Sequence, residues 1–452
     1  MNKILWTSKD IACSVSGKES EDFNIYGISI DTRTLKKGDL FVPLVHVRDG
    51  HEFIDEAIKK GAGGTISIKQ NPHKTVIVEN SFDALCDLGK AALERSKSLI
   101  VAVTGSVGKT SVKDALAQMF SSFGDTHKSV KSYNNKWGLP LTMARMPVCT
   151  RYGVFELGMN HAGEISDLSK LLKPDIAIIT NVGEAHLAQF NNVLEIADAK
   201  SEIIDGLHAD GTLILNNDNE YSSRISGKAK DKKVITFGYS ETSDVLIVAN
   251  QCKVNGSNIR LKINNQLIDL YIAVPGKHWV TNIAACMAVA YASGIDLRKA
   301  ANALGTITAQ PGRGEQSLID IDGKKIILID ESYNANVVSM KASIELLGLK
   351  SGRLIAILGD MNELGEDELN LHLSLSEPIK EASIDRVILI GKNMQELQSV
   401  IPQKIHTATV KNWEQAIIAL KNVIEDGDNV LVKGSNSLGL GKLVEALKVG
   451  KT

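Results

Sequence analysis

Apolar runs that end in small or polar residues alternate with amphipathic stretches along most of this chain. The clearest unit starts at the run Leu99–Val103, which ends in Thr104-Gly105-Ser106-Val107-Gly108-Lys109-Thr110-Ser111. Val112, Ala115, Leu116, Met119 and Phe120 then recur at the spacing of one helix face. Further strands are predicted at Gly153–Leu157, Asp175–Val182, Thr212–Leu215 and Val234–Phe237, with helical patterns between them. That alternation predicts a mostly parallel sheet covered on both faces. Polar residues gather at the strand ends, as Glu156, Thr180-Asn181 and Asn216-Asn217-Asp218, and ligands of such sheets sit outside those ends. Residues 244–274 alternate in shorter runs and read as a small antiparallel insert. A helix is expected after Pro275-Gly276-Lys277-His278, carrying Asn282 and a small-residue face of Ala284, Ala285 and Ala288.

The flanks have their own rhythm. Short strands are predicted at Gly27–Ile30, Leu40–Leu44, Thr65–Ile68 and Thr75–Val78, with a helix from Glu52 to Lys60. Ser81 to Arg95 reads as a helix leading into the central strand. Gln310-Pro311-Gly312-Arg313-Gly314 breaks the pattern as a linker. Beyond it, strands at Lys325–Asp330, Leu354–Leu358, Arg386–Ile390 and Asn429–Val432 restart a doubly wound unit. The fold class is therefore α/β in three domains. Residues 1–82 form a small mixed α/β domain, 83–312 a central phosphate-loop domain with a parallel sheet, and 313–452 a Rossmann-like domain.

Composition narrows the function classes. With 51 basic and 53 acidic residues, the 452-residue chain has a formal charge of −2 and its basic residues are dispersed. Nothing in that pattern suggests a nucleic-acid surface. The densest basic stretch, Lys228 to Lys233, is interrupted by Asp231 and reads as a solvated turn. The five cysteines form no C-x-x-C pair, which speaks against a disulfide frame or a zinc site. No apolar run has the length of a signal peptide or a membrane span. A cytoplasmic monomer, not embedded in a membrane, is expected.

The glycine turn between strand and helix is a phosphate cradle. Glycines let the backbone approach the oxygens, and free N–H groups at the helix N-terminus face the anion. Lys109 would neutralise the terminal phosphates, and the Thr110 hydroxyl would ligate Mg²⁺. Val103 stands where the commoner loop has its first glycine, so this is the shorter T-G-S-x-G-K-T type. A nucleoside triphosphate is the expected ligand. Glu156, at a neighbouring strand end, either binds Mg²⁺ directly or through water, or caps the Gly158–Glu164 turn. His186 follows another strand in Asn181-Val182-Gly183-Glu184-Ala185-His186, as a structural histidine or a site residue. Lys200, within a helical stretch, reads by default as a surface lysine. Asp31-Thr32-Arg33 and Arg48-Asp49-Gly50-His51 are turn chemistry or a second binding cluster.

The chain resembles the Mur ligases, the amino-acid-adding enzymes of peptidoglycan synthesis, over nearly its whole length. The matching stretches are DTRTLKKGDLFV, RDGHEFIDEAIKKGA, TGSVGKTS, YNNKWGLPLT, FELGMNHAGEI, TNVGEAHLAQF, AKSEI, LNNDN, PGKHWVTNIAA, PGRGE, IDESYNAN, LGDMNELG and LVKGS. Of these, YNNKWGLPLT, GMNHAGEI, ESYNAN and LGDMNELG resemble the member that adds a dipeptide. The resemblance implies an ATP-dependent ligase joining D-alanyl-D-alanine to UDP-N-acetylmuramoyl-tripeptide through an acyl-phosphate, releasing ADP and phosphate, with two Mg²⁺ ions. Four other readings compete: a sibling ligase adding one amino acid, a folyl-polyglutamate synthetase, a P-loop switch or motor, and a catalytically dead nucleotide-binding scaffold.

The resemblance also assigns roles. Residues Thr104 to Ser111 of the loop, His278, Asn282, Arg313 and Asp330 fall on ATP-binding positions. Thr110 and Glu156 fall on ligands of the first metal, and His186 with Lys200, carbamylated in this family, on those of the second. Lys109, His186, Lys200, Arg313 and Lys433 fall on catalytic positions, Arg313 as the linker arginine that reaches the γ-phosphate when the domains close. Asp31, Thr32, Arg33, Asp49, Gly50 and His51 match the uridine-nucleotide region, and Asn134 and Asn135 the peptide end of the acceptor. Tyr333, Asn334, Asn336 and Ser435 match residues around the incoming dipeptide. The chain departs from the pattern at Pro43, Val45 and His46, and at Asn436, where arginine is frequent.

Overall fold

The computed structural model describes residues 3–130, 133–184 and 189–450. Its largest element is a nine-stranded sheet. The strands run in the spatial order Thr126–Lys128, Tyr152–Glu156, Leu99–Thr104, Ile176–Ile179, Thr212–Asn216, Lys233–Gly238, Val245–Lys253, Gly256–Ile263, Gln266–Ile272. Every pairing up to Val245 is parallel, and the last three strands form antiparallel hairpins. The expected insert at 244–274 is therefore a continuation of the central sheet. Phe237 and Gly238 pair with Val245 and Leu246, so the backbone ladder carries straight into it.

The C-terminal sheet has six strands, in the order Glu315–Ile321, Lys324–Glu331, Asn429–Lys433, Leu354–Gly359, Arg386–Ile390, His406–Val410. Only its first strand is antiparallel to its neighbour. The two edge strands escape the sequence pattern because neither has a continuous apolar run: alternate residues of Glu315–Ile321 are exposed, and His406–Val410 reads HTATV. The first sheet has five strands, four of them close to the predicted positions. Trp6–Thr7 and Asn24–Ile25 add an antiparallel pair beside it.

Helix Ser81–Ser96 shows how the first two units are joined. Asn80 caps it by accepting from the N–H groups of Phe82 and Asp83, at 2.8 and 3.3 Å. Its buried face of Ala84, Leu85, Leu88, Gly89 and Ala92 lies in one continuous core with Trp6, Ile11, Leu40 and Ile66 of the first unit and Leu139, Met143 and Phe155 of the central one. A β-carbon on Gly89 would sit 3.1 Å from the Met143 side chain, so the missing side chain sets how closely helix Gly138–Ala144 approaches. The C-terminal sheet is different: its two faces pack cores of their own. Among the described residues no helix is long and apolar enough to cross a membrane.

Candidate active site

The P-loop wraps the space between strand Leu99–Thr104 and helix Lys109–Ser121. Two glycines have no substitute there. Gly105 has φ +148°, and a β-carbon on it would run into the Thr180 hydroxyl; Gly108 has φ +83°, and one on it would lie 2.7 Å from Asn282 Oδ1. Neighbouring strand ends hold the loop in shape. Thr180 Oγ1 donates to the Val107 carbonyl at 2.5 Å, Ser106 N–H to the Asn181 carbonyl at 2.8 Å, and Ser106 Oγ to the Gly183 carbonyl at 3.0 Å. No side chain caps the helix that follows, so its first N–H groups point at the loop's concavity, where an anion is favoured.

Three polar side chains from distant parts of the sequence meet at the start of that helix. Thr110 Oγ1 donates to Glu156 Oε2 at 2.8 Å, and Asn134 Nδ2 donates to Glu156 Oε1 at 2.9 Å. Arg313 NH2, from the linker, donates to Thr110 Oγ1 at 3.1 Å, while its guanidinium lies 4.1 Å from the centre of the Tyr333 ring. Lys109 Nζ folds back onto the Gly105 carbonyl at 2.7 Å. Burial holds its amine below the ordinary lysine range, with Glu156 opposing and Arg313 adding to the effect. Lys200 is 1% exposed and held well below that range, by burial first and the Lys109 charge second. The default reading of Lys200 as a surface lysine is corrected: it is an interior amine at the floor of the cleft. His186 lies outside the described residues.

One hydroxyl beside one carboxylate fits a Mg²⁺ ion that takes its remaining ligands from phosphates and water. Among the described residues no group of three or more His, Cys, Asp or Glu able to hold a metal occurs.

The opposite wall belongs to the C-terminal sheet. Buried Lys433 Nζ reaches Glu331 Oε2 and the Asn334 carbonyl, each at 3.2 Å. Buried Ser435 accepts the Asn362 N–H at 2.9 Å. Asn336 starts helix Val337–Gly348 in a reciprocal capping box with Ser339, so its amide is partly committed to local structure. Asn135 has a similar duty, accepting from Trp137 and Gly138 N–H at 3.2 and 2.9 Å. Both walls enclose one cleft of about 900 Å³, lined by the P-loop, Asn134, Glu156, Lys200, His278, Asn282, Arg313, Tyr333, Asn334, Asn336, Lys433, Ser435 and Asn436 among others.

Two predicted groups lie elsewhere. Asp330 does not line the cleft. Its carboxylate accepts Gly312 N–H at 2.8 Å and the Ser332 N–H and hydroxyl at 3.1 and 2.6 Å, so it latches the linker. The first-sheet clusters are also outside. Arg33 forks onto Asp31, which is held below the usual carboxylate range chiefly by that hydrogen bond. Asp49 accepts from His51, whose other ring nitrogen faces Ser81 Oγ at 3.2 Å, and Thr32 bonds Glu56 at 3.0 Å. Beside them, His46 stacks edge-on against Trp137 with ring centres 4.6 Å apart. Sequence reasoning assigned no role to Glu331, Asn362 or Glu363, which line the cleft. The last two sit inside the LGDMNELG stretch, whose polar residues between a strand and a helix were the available signal.

A phosphate loop faced across a cleft by the strand ends of a second parallel sheet defines a two-walled, nucleotide-binding α/β protein. Family models agree: the Mur ligase middle domain matches residues 103–290, and the Mur ligase glutamate ligase domain residues 316–436. A UDP-N-acetylmuramoyl-tripeptide–D-alanyl-D-alanine ligase of Rickettsia prowazekii (strain Madrid E) is 34% identical over 450 residues, spanning 98% of this chain and 99% of the relative. One of the same name from Bacillus subtilis (strain 168) is 33% identical, spanning 98% of each. Among solved structures, a MurF from Acinetobacter baumannii superposes with a TM-score of 0.87 at 27% identity, over 98% of this chain and 99% of that one. MurF ligase of Thermotoga maritima, solved in complex with ADP, gives 0.79 at 25%, over 94% and 97%. The chain belongs to the Mur ligase family.

Proposed function

We propose that this chain is an ATP-dependent acid–amino-acid ligase that joins D-alanyl-D-alanine to UDP-N-acetylmuramoyl-tripeptide, the reaction named for its full-length relatives. The observation that carries the reading is the bridge from Arg313 of the linker to Thr110 of the P-loop at 3.1 Å, which brings the Lys433 wall over the phosphate cradle.

The chemistry follows from charge. A terminal carboxylate is a poor electrophile, so it first attacks the γ-phosphate of ATP, giving an acyl-phosphate and ADP. Both reacting groups are anionic, and Lys109, Arg313 and the helix N-terminus offset their repulsion. Mg²⁺ bound by Thr110, Glu156 and the phosphates would add positive charge at the same place. The amine of the dipeptide then attacks the acyl carbon, and phosphate leaves. Lys433 faces the acyl-phosphate, with Tyr333, Asn334, Asn336 and Ser435 around the dipeptide. His278 and Asn282 adjoin the adenine. The clusters at Asp31–Arg33 and Asp49–His51 take the uridine nucleotide, leaving Asn134 and Asn135 near the peptide end.

Lys200 has the form this reading needs. Its depressed basicity supports a neutral amine, and neutral amines add CO₂ to become carbamates. The product is an anion able, with His186, to ligate a second Mg²⁺. The reading is tested by phosphate release from ATP with UDP-muramoyl-tripeptide, with and without D-alanyl-D-alanine. Release that needs both, with a pentapeptide product by mass, supports it. Release indifferent to both would favour a nucleotide switch.

A further inference from the structure

Lys433 ends strand Asn429–Lys433, and Glu331 ends its parallel neighbour Lys324–Glu331. The two residues are paired in register. Partners across neighbouring strands send their side chains to the same face of the sheet, so the ammonium and the carboxylate arrive together. Lys433 Nζ lies 3.2 Å from Glu331 Oε2 and 3.2 Å from the Asn334 carbonyl. An ammonium has three N–H donors. Among the described residues these two oxygens are its only partners, which leaves one donor for an anion in the cleft that Lys433 lines.

The pair is nearly dry. The Lys433 side chain is 3% exposed and that of Glu331 16%. A cation removed from water is costly unless a charge opposes it, and Glu331 is the one carboxylate within ion-pair reach of Lys433 among the described residues. Without it the lysine would give up its proton or its place. Glu331 is itself held by the backbone around it. Asp330, the residue before, accepts the N–H groups of Gly312 and Ser332 and the Ser332 hydroxyl, which pins the strand end to the linker. Gly314, with φ +93°, passes directly over the carboxylate, where a β-carbon would lie 3.2 Å from Glu331 Oε1. Glu331 therefore stands between the linker and Lys433, one oxygen under Gly314 and the other on the ammonium.

We infer that Glu331 is a positioning residue of the ligation: it keeps the Lys433 ammonium charged and turned so that its remaining donor meets the acyl-phosphate. The inference rests on the ligase reading above, in which Lys433 faces that intermediate. Glu331 acts through Lys433 and does not touch the reacting atoms. Its carboxylate alone would repel the anionic intermediate, so its value to the reaction exists only while the lysine is present. The Asn334 carbonyl supplies the second point of attachment, and two fixed acceptors leave the ammonium one direction for its third hydrogen.

Glu331→Gln keeps an oxygen for Nζ and removes the charge. In the full-length enzyme kcat for pentapeptide formation should fall about 10–10²-fold. KM for ATP, whose phosphates the opposite wall holds, should stay within about threefold of wild type. Glu331→Asp, which keeps the charge on a shorter arm, should recover part of the loss. The deciding measurement is a double-mutant cycle with Lys433→Met. In that background, adding Glu331→Gln should change kcat by less than about twofold, because the residue it serves is gone. Losses that multiply would show Glu331 acting independently of Lys433 and would overturn the inference. So would a Glu331→Gln enzyme, or a Lys433→Met enzyme, as fast as wild type. Urea unfolding of all four proteins keeps the fold apart from the chemistry: a kcat loss matched by a fall in the folded fraction would also overturn it. Absence of tripeptide-dependent ATP use in the wild type would overturn the ligase reading instead.

Discussion

The molecule contains two junctions of opposite character. The first sheet and the central sheet are joined by a hydrocarbon core that runs through helix Ser81–Ser96 without a break. Arg95 covers the Trp6 ring at 3.4 Å and donates to the Leu5 and Met146 carbonyls at 3.0 Å each, while Trp6 Nε1 donates to the Ala144 carbonyl at 2.9 Å. The central and C-terminal sheets have separate cores and meet across a polar cleft, a short linker and the Arg313–Thr110 contact. Apolar burial is non-directional and costly to expose, so the first junction is fixed. A few hydrogen bonds across a wet cleft exchange readily with water, so the second is suited to opening and closing around substrates. The nucleotide loop sits at the polar junction.

The largest effect should come from breaking the fixed junction. Trp6 is 2% exposed, and Trp6→Ala removes its packing, its hydrogen bond and the Arg95 contact together. A loss of about 3–5 kcal/mol is expected, read by urea denaturation, with new proteolytic cleavage on the flanks of helix Ser81–Ser96. A loss under about 1 kcal/mol would mean that the two units do not depend on one core.

Arg313→Ala breaks the other junction and should leave stability unchanged. Its cost should appear in catalysis, with kcat falling about 10²–10³-fold, because the guanidinium serves the closed state. ATP affinity, measured by calorimetry, should shift by less than about threefold, since the loop and helix N-terminus remain. An unchanged kcat would refute the coupling of linker to phosphate loop. Asp330→Asn is the milder version. It exchanges one accepting oxygen for a donor facing the Gly312 or Ser332 N–H, for a cost of about 1–3 kcal/mol. Differential hydrogen exchange should place that cost in residues 310–333.

The contrast also explains what the sequence made legible. The P-loop, the parallel alternation and helix Ser81–Ser96 are written in local periodicity, and each appears close to its predicted span. The shared core is not local: Trp6 meets Ala144 across 138 positions, and no single window carries that information. Glu156 was legible as a strand-end carboxylate, but its joint duty to Thr110 and Asn134 needs the fold. Lys200 shows the limit most sharply. A lysine in a helix is normally solvated, and only the packing of helix Val193–Ser201 against the sheet buries it. Asp330 was singled out only by the family resemblance, and its hydrogen bonds to Gly312 and Ser332 at the linker needed the fold to be seen.

The smallest expected effect tests whether acid weakens the central unit beside the fixed junction. His127 sits on edge strand Thr126–Lys128 and donates through Nε2 to the Thr142 carbonyl of helix Gly138–Ala144 at 2.8 Å, with Phe155 beside its ring. Burial holds the imidazole below its ordinary value of 6.5; the bond to the Thr142 carbonyl opposes this and the Arg145 charge adds to it. The folded protein therefore keeps His127 neutral where the unfolded chain has begun to take up a proton. Stability rises with pH wherever the unfolded state binds more protons, so this histidine's share is intact above 6.5 and falls as the pH drops from there to the depressed folded value. His127→Gln keeps an N–H for the Thr142 carbonyl and removes the titration. Its denaturation midpoint should follow that of wild type above pH 7 and fall less steeply between pH 6.5 and 5. Parallel curves over that range would show that protonation of His127 does not weaken the central unit.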